Sequence, residues 1–224
     1  RVAYSLTLPM HPQDLESLID HRALAMAQQD VCYYLNGLML ELADGSLRSV
    51  ATDGHRLAMC EYSADIEGGN SRQIILPRKG VTELARLLED NSAEVKVEVG
   101  NNHIRLSIND LVYTSKLIDG KFPDYQRVLP DKSDKFLVGE RELLRQALSR
   151  ASILSNEKYR GIRLLLDANA LRIVANNPEQ EEAEEEIEVE YSYDALEIGF
   201  NVNYVIDALN AINTDKVQIA FSDA

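Results

Sequence analysis

The sequence repeats itself. Leu47-Arg48-Ser49-Val50-Ala51-Thr52-Asp53 matches Leu171-Arg172-Ile173-Val174-Ala175-Asn176-Asn177 at an offset of 124 residues, and Gly37-Leu38 falls on Gly161-Ile162 at the same spacing. Ile19, Ala23, Leu24 and Ala27 fall on Leu143, Ala147, Leu148 and Ala151, and Val81, Ala85 and Leu88 fall on Val205, Leu209 and Ile212. One register kept through four separated segments marks two copies of one domain. A chain of 224 residues has room for two such cores.

Each copy shows the same order of elements. Leu15, Leu18, Ile19, Arg22 and Met26 share a face of a first helix, as do Leu143, Leu144, Ala147, Leu148 and Ala151 in the second copy. A turn at Ala43-Asp44-Gly45-Ser46 joins two strands, and Asp167-Ala168-Asn169 takes its place in the second copy. Further strands are predicted at about 56–62 and 72–77. Pro77 and Gly80 bracket the start of a second helix with Val81, Leu84, Ala85 and Leu88 on one side, and its counterpart uses Val205, Ala208, Leu209 and Ile212. Alternation at Val95, Val97, Val99, at Ile104, Leu106, Ile108, and at Leu111-Val112-Tyr113 closes the first copy with strands. The second copy reaches only Val217, Ile219 and Phe221, so the repeat predicts about two more strands, roughly 20–25 residues, beyond Ala224. The expected layout is a domain over 1–125, a linker over 126–134 containing Pro130, Asp131 and Ser133, and a shortened domain over 135–224.

Composition narrows the function. The net charge of -14 argues against a conventional DNA-binding domain, which neutralises phosphates with a basic face. It is compatible with holding DNA by enclosure. The excess is uneven, -5 over residues 1–130 and -9 over 131–224, with eight Glu among residues 179–190. No apolar run reaches the ~18 residues of a membrane helix, and the N-terminus has no signal-peptide pattern. Cys32 and Cys60 lack metal-ligand spacing and are expected to be buried free thiols, with no metal site and no cofactor. Asp53 and His55 sit two residues apart, as a general base and its orienting carboxylate could, and a small hydrolase is one competing reading. That spacing is common on any strand, and none of the G-x-S-x-G, H-E-x-x-H or P-loop patterns occurs. The expected answer is no enzyme.

Six segments carry a more specific signal. They are Tyr33-Tyr34-Leu35-Asn36-Gly37, Ala51-Thr52-Asp53-Gly54-His55-Arg56-Leu57-Ala58, Pro77-Arg78-Lys79-Gly80, Phe122-Pro123-Asp124-Tyr125, Leu154-Ser155-Asn156-Glu157-Lys158 and Asn176-Asn177-Pro178-Glu179-Gln180-Glu181-Glu182-Ala183-Glu184. In this order they closely resemble the beta sliding clamp family of bacterial DNA polymerase III. The resemblance implies an α+β fold of two tandem clamp domains, each with two helices packed on antiparallel sheets, corresponding to the middle domain and most of the third. It implies a cytoplasmic, nucleoid-associated processivity factor whose full-length form is a ring of two subunits around double-stranded DNA. Without a first domain the fragment is expected to be a monomer.

The resemblance also implies roles for particular residues. A hydrophobic cleft between the middle and third domains would take short peptides from polymerase, clamp loader and repair proteins. Its matching positions are Leu35, Thr52, Gly54, His55, Arg56, Leu57, Pro123, Arg127, Val128, Tyr159, Asn201 and Tyr204. Gln29, Tyr33, Tyr34, Arg78, Lys79 and Arg160 would face DNA, through phosphate contacts that read no bases and so permit sliding. Ile153, Leu154, Glu179, Glu181, Glu182, Glu184 and Glu185 would meet the other subunit. A repeat-domain adaptor that binds peptides without enclosing DNA is the alternative. On composition alone the acidic run would be a solvated loop; the resemblance implies instead an acidic exposed edge of the third domain, a strand whose charges resist wrong pairing.

Overall fold

The computed structural model describes residues 4–43, 45–64, 71–89, 91–130 and 132–222, with His21 as backbone only. Asp44 of the first hairpin turn and Asp131 of the expected linker lie outside the described residues. The chain divides into two compact units, Arg1–Tyr125 and Gln126–Ala224.

In the first unit, β1 (Tyr4–Met10), β6 (Val95–Gly100), β7 (His103–Ile108) and β8 (Leu111–Lys116) form one antiparallel sheet in the order β1-β6-β7-β8. The strands β2 (Gly37–Ala43), β3 (Ser46–Thr52), β4 (Leu57–Ser63) and β5 (Arg72–Pro77) form a second, ordered β4-β3-β2-β5. Helices α1 (Pro12–Ile19) and α2 (Arg78–Leu88) pack on each other. The sequence sets both starts: Pro12 stands at the first helical position, where its missing N–H costs nothing, and Pro77 precedes α2 in extended conformation. Leu18, Ile19, Leu38, Leu76, Val95 and Leu106 sit in one continuous core and are 0–1% exposed. Each such side chain contributes roughly 1.5–3 kcal/mol of burial. At Gly37 the main chain passes so close to β5 that an added Cβ would stand 2.6 Å from the Leu76 carbonyl oxygen.

The second unit repeats the plan. The strands β10 (Gly161–Asp167), β11 (Ala170–Asn176), β12 (Glu182–Glu188) and β13 (Leu196–Asn201) are ordered β12-β11-β10-β13. The strand β9 (Lys135–Glu140) pairs with β14 (Lys216–Phe221), and helices α3 (Arg141–Ser152) and α4 (Val202–Asn210) pack together. Asn169 closes the β10–β11 turn at φ 55° and accepts the Tyr191 N–H on its side chain at 3.2 Å. The expected α+β architecture of two similar units is what the chain adopts.

Several details of the sequence reading need correction. The first helix does not run to Met26. After Ile19 the backbone tightens into a 3₁₀ turn, Asp20–Ala25, closed by Met26 N–H on the Ala23 carbonyl at 3.3 Å. The 124-residue register also fails at the first helices. Leu15, Leu18 and Ile19 are buried, and so are Leu144, Ala147 and Leu148, which places those helices 129 residues apart. The five-residue difference lies between the first helix and its next strand. Leu143, aligned with Ile19 by the shorter offset, is 52% exposed. In α4 the inward row is Val202, Val205, Ile206 and Leu209, continued by Ile212, which packs on the same core from just past the helix end, whereas Ala208 is exposed. Cys32 and Cys60 are free but only half-buried. The acidic run is an edge strand, as the resemblance implies and not the loop that composition alone suggests: residues 182–188 form β12.

An ion pair in the β6–β7 ladder gives the first prediction. Glu98 is buried, and its carboxylate accepts Arg105 Nε at 2.8 Å and Nη2 at 3.0 Å, with Lys96 Nζ at 3.4 Å. Arg105 first, then Lys96, holds the Glu98 carboxyl below its ordinary value of 4.5, against the opposing effect of burial. A depressed folded pKa stabilises above the unfolded value and is lost as pH falls through the folded one. Glu98→Gln is therefore expected to be less stable than the parent at about pH 7, with the gap narrowing below about pH 4.5. Urea midpoints across that range measure it, and a pH-independent gap would refute the coupling.

Candidate functional site

The segment between β3 and β4 is a turn built by its own side chains. Thr52 and Leu57 face each other as the last and first residues of the paired strands. Thr52 Oγ1 donates to the Arg56 carbonyl at 2.7 Å and accepts the Gly54 N–H at 3.1 Å. Gly54 takes φ 87°, the left-handed region that disfavours side chains. Asp53 Oδ1 accepts the main-chain N–H groups of His55 at 3.0 Å and Arg56 at 3.1 Å, and Oδ2 accepts Arg56 Nε at 3.2 Å. Arg56 Nη2 then reaches the Leu24 carbonyl at 2.7 Å, tying the turn to the 3₁₀ segment after α1. His55 and Gly54 are exposed, and Leu57 is half-buried.

This geometry removes the basis of the hydrolase reading. Asp53 bonds to His55 through the main-chain N–H and directs its other oxygen to Arg56, in a turn rather than along a strand. Arg56 braces the same turn. Its guanidinium is held inward by Asp53 and Leu24, so its first effect is to shape the turn. Asp53, singled out in the sequence only for its spacing to His55, is the brace of this turn; an Asp two and three residues before free backbone N–H groups is the signal for that role.

Leu35 stands on a second compact loop. Asn36 Oδ1 accepts the Asp30 N–H at 2.8 Å, Asn36 Nδ2 donates to the Asp30 carbonyl at 2.9 Å, and the Leu35 carbonyl accepts the Ala27 N–H at 3.0 Å. The same loop carries Gln29 at φ 57°, the exposed Tyr33 and the half-buried Tyr34, their rings edge-on at 5.9 Å. Arg78 opens α2 and donates Nη1 to the Met26 carbonyl at 3.1 Å, so it borders this loop; Lys79 beside it is exposed. The sequence-predicted set Gln29, Tyr33, Tyr34 and Arg78 is thus gathered around one loop. Pro123 is exposed between the buried Phe122 and Tyr125.

The second unit holds the remaining positions. Arg127 and Val128 are exposed on the 3₁₀ turn Tyr125–Val128, Val128 at 69%. Asn156 Oδ1 accepts the N–H groups of Lys158 at 2.9 Å and Tyr159 at 3.1 Å, which presents the Tyr159 ring at 66% exposure. Arg160, at φ 50°, accepts the Val202 N–H on its carbonyl at 2.8 Å, and Gly161 pairs with Asn201. Asn201 caps α4 by accepting the Asn203 N–H at 3.0 Å, and Tyr204 lies in the first turn, half-buried. Tyr159, Arg160, Asn201 and Tyr204 therefore lie at one end of this unit.

The acidic set divides by strand alternation. Glu182 and Glu184 point outward from β12 with Glu186 and Glu188. Glu185 faces the other way, between Ala183 and Ile187, and accepts Arg150 Nε at 2.8 Å and Nη2 at 3.0 Å from α3. Glu179 is exposed ahead of β12, and Glu181 accepts Asn177 Nδ2 at 2.6 Å. Ile153 at the end of α3 is 77% exposed and Leu154 half-buried. Among the described residues there is no group of three His, Cys, Asp or Glu side chains placed to hold a metal ion, and no helix long and apolar enough to cross a membrane.

Comparison with known proteins agrees with both units. Residues 9–124 match the family model of the DNA polymerase III beta subunit central domain, and residues 126–224 that of its C-terminal domain. The beta sliding clamp of Pseudomonas aeruginosa is 57% identical over 220 residues, covering 98% of this chain and 60% of that protein. The crystal structure of the DNA polymerase sliding clamp from the same organism superposes with a TM-score of 0.97 at 56% identity, covering 100% of this chain and 62% of the other. Another, of the P. aeruginosa clamp bound to griselimycin, gives 0.96 at 56% identity, covering 100% and 60%. The chain thus spans about three fifths of its relatives' length, and its two units, matched end to end by two family models and by solved clamps, make it a member of the DNA polymerase III beta subunit family.

Proposed function

We propose that the chain supplies two of the domains with which a sliding clamp surrounds duplex DNA, and that it docks polymerase, clamp loader and repair proteins through short peptides, without catalysing a reaction. The observation that carries the docking role is the 52–57 turn: an exposed, self-braced loop beside the half-buried Leu57, with Leu35 and the exposed Pro123 in the same unit. A rigid rim around small apolar surfaces suits an extended peptide bearing Leu or Phe anchors. Val128, Tyr159, Asn201 and Tyr204 are the second unit's share of that role. The griselimycin complex of a 56% identical clamp supplies a probe for the same reading. Gln29, Tyr33, Tyr34, Arg78, Lys79 and Arg160 are assigned to the DNA side. Ile153, Leu154 and the outward Glu182 and Glu184, with Glu179, Glu181 and Glu185, are assigned to the contact with a second subunit. Retention by enclosure reconciles an acidic protein with an acidic ligand, since a tether raises local concentration without strong contacts.

Titration with griselimycin and with a fluorescein-labelled peptide carrying Leu and Phe anchors tests the docking role. The Arg56→Ala, Leu57→Ala double variant is expected to bind both probes more than about tenfold more weakly than the parent, the loss typical of removing central anchors. Leu57→Ala alone, which leaves the Asp53–Arg56 brace intact, separates lost contact from a collapsed turn. Parent-like binding by both variants would refute the assignment.

A further inference from the structure

A row of polar side chains crosses the whole β4-β3-β2-β5 sheet. Register places Glu61 opposite Arg48, Arg48 opposite Glu41, and Glu41 opposite Gln73. Arg48 donates Nε and Nη2 to Glu61 Oε2 at 2.9 and 2.6 Å and lies 3.7 Å from Glu41, while Gln73 Nε2 donates to Glu41 Oε2 at 2.7 Å. Tyr125 enters this row from 77 residues away. Its hydroxyl accepts Arg48 Nη1 at 2.7 Å and donates to Glu41 Oε1 at 3.2 Å. The ring is 3% exposed, and a buried phenol keeps such a position only when its hydroxyl is bonded.

A second observation shows what the row holds. Next to it on the same face of the sheet, Val50, Met39 and Ile75 are paired across three strands and 0–2% exposed, yet they stand outside the main core of the unit. Ile118 N–H bonds to the Ile75 carbonyl at 2.8 Å, and Phe122 and Tyr125 are themselves buried outside that core. The segment from Ile118 to Tyr125 thus covers this apolar row without forming a strand. Its far end is fastened by the Tyr125 hydroxyl, two residues after the exposed Pro123.

Resting on the peptide-docking reading above, we propose that Arg48 and Tyr125 are positioning residues of that site: through Glu41 and Glu61 they fix the segment that presents Pro123. Arg48 lies on the face of β3 that also carries Thr52, four residues on, so one strand braces both parts of the first unit's share. An irregular segment held by a few directional bonds has two states, fastened and loose, and only the fastened one presents Pro123 in a fixed place. Affinity then falls in proportion to the fastened fraction.

The test uses the 224-residue chain, griselimycin and the labelled Leu/Phe peptide. Tyr125→Phe keeps the ring and removes the hydroxyl; Arg48→Ala removes the fork; Arg48→Lys keeps one charged donor. A fastened fraction of a third to a tenth predicts about 3- to 10-fold weaker binding by Tyr125→Phe and Arg48→Ala, measured well below their melting temperatures. Arg48→Lys is expected to recover part of the loss. Stopped-flow association should slow, whereas a merely structural role would lower the melting temperature and leave affinity and association unchanged. Parent-like affinity in Tyr125→Phe and Arg48→Ala, with Leu57→Ala still weakened, would overturn the positioning role alone. Parent-like binding by Leu57→Ala and by the Arg56→Ala, Leu57→Ala double variant would overturn the docking site beneath it.

Discussion

Leu144→Ala is expected to destabilise the second unit by about 2–5 kcal/mol, the usual cost of truncating a buried leucine, while the neighbouring Leu143→Ala stays within about 0.5 kcal/mol of the parent. Both residues lie in α3, one position apart. Leu144 is 1% exposed and belongs to the core with Leu137, Ala147 and Leu148; Leu143 is 52% exposed. Alanine and leucine have similar helix propensities, so neither change is confounded by the helix itself. The difference isolates burial and the cavity left behind. Urea unfolding followed by circular dichroism measures it, and equal losses in the two variants would mean that α3 is rotated relative to the orientation described.

The same pair of residues shows what the sequence made legible. Strands were readable because one buried face imposes strict alternation, as at Val95, Val97 and Val99 or Ile104, Leu106 and Ile108. Helices were readable as helices, and of the five residues read on the inward side of α3 the structure buries Leu144, Ala147, Leu148 and Ala151; only Leu143 was misplaced, because an apolar residue next to Leu144 fits an adjoining stripe. The constant offset reinforced the wrong choice by aligning Leu143 with Ile19. Sequence self-similarity was strongest in the β2–β3 hairpin and its counterpart, and the five-residue length change before it left no local mark. The 3₁₀ turn after Ile19 was likewise hidden, since its periodicity differs little from that of an α-helix over six residues.

The candidate site was legible as a set of positions and not as a set of bonds. Thr52, Gly54, His55, Arg56 and Leu57 were readable as one segment. That Arg56 turns inward depends on a main-chain carbonyl 32 residues away, and no local pattern encodes that approach. Arg78 is similar: its bond to the Met26 carbonyl depends on where the loop after α1 comes to rest. The acidic run, expected at an exposed edge from the resemblance, also carries a local signal of its own. Ala183 and Ile187 alternate with Glu182, Glu184, Glu186 and Glu188, the period of a strand with one covered face, and Glu185 shares the covered face because Arg150 neutralises it there.

Asp53→Ala is expected to weaken both griselimycin and the labelled peptide by about 10- to 100-fold, although the Asp53 side chain stands in the loop as a brace rather than as an assigned contact. The substitution removes the acceptor for His55 N–H, Arg56 N–H and Arg56 Nε together. Bonds to a charged group contribute about 1.5–3 kcal/mol, and each 1.4 kcal/mol is about tenfold in affinity if the turn must be reordered on binding. Asp53→Asn separates the parts. Its side-chain oxygen still accepts the two main-chain N–H groups, but its amide cannot accept from Arg56 Nε, so an intermediate loss of about tenfold or less follows. Thermal melting of both variants reports on the unit as a whole and is expected to fall by only a few degrees, because Thr52 Oγ1 still closes the turn through Gly54 and Arg56. Should Asp53→Ala bind both probes as the parent does, the brace has no part in recognition, and the exposed face of the turn is not where the peptide sits.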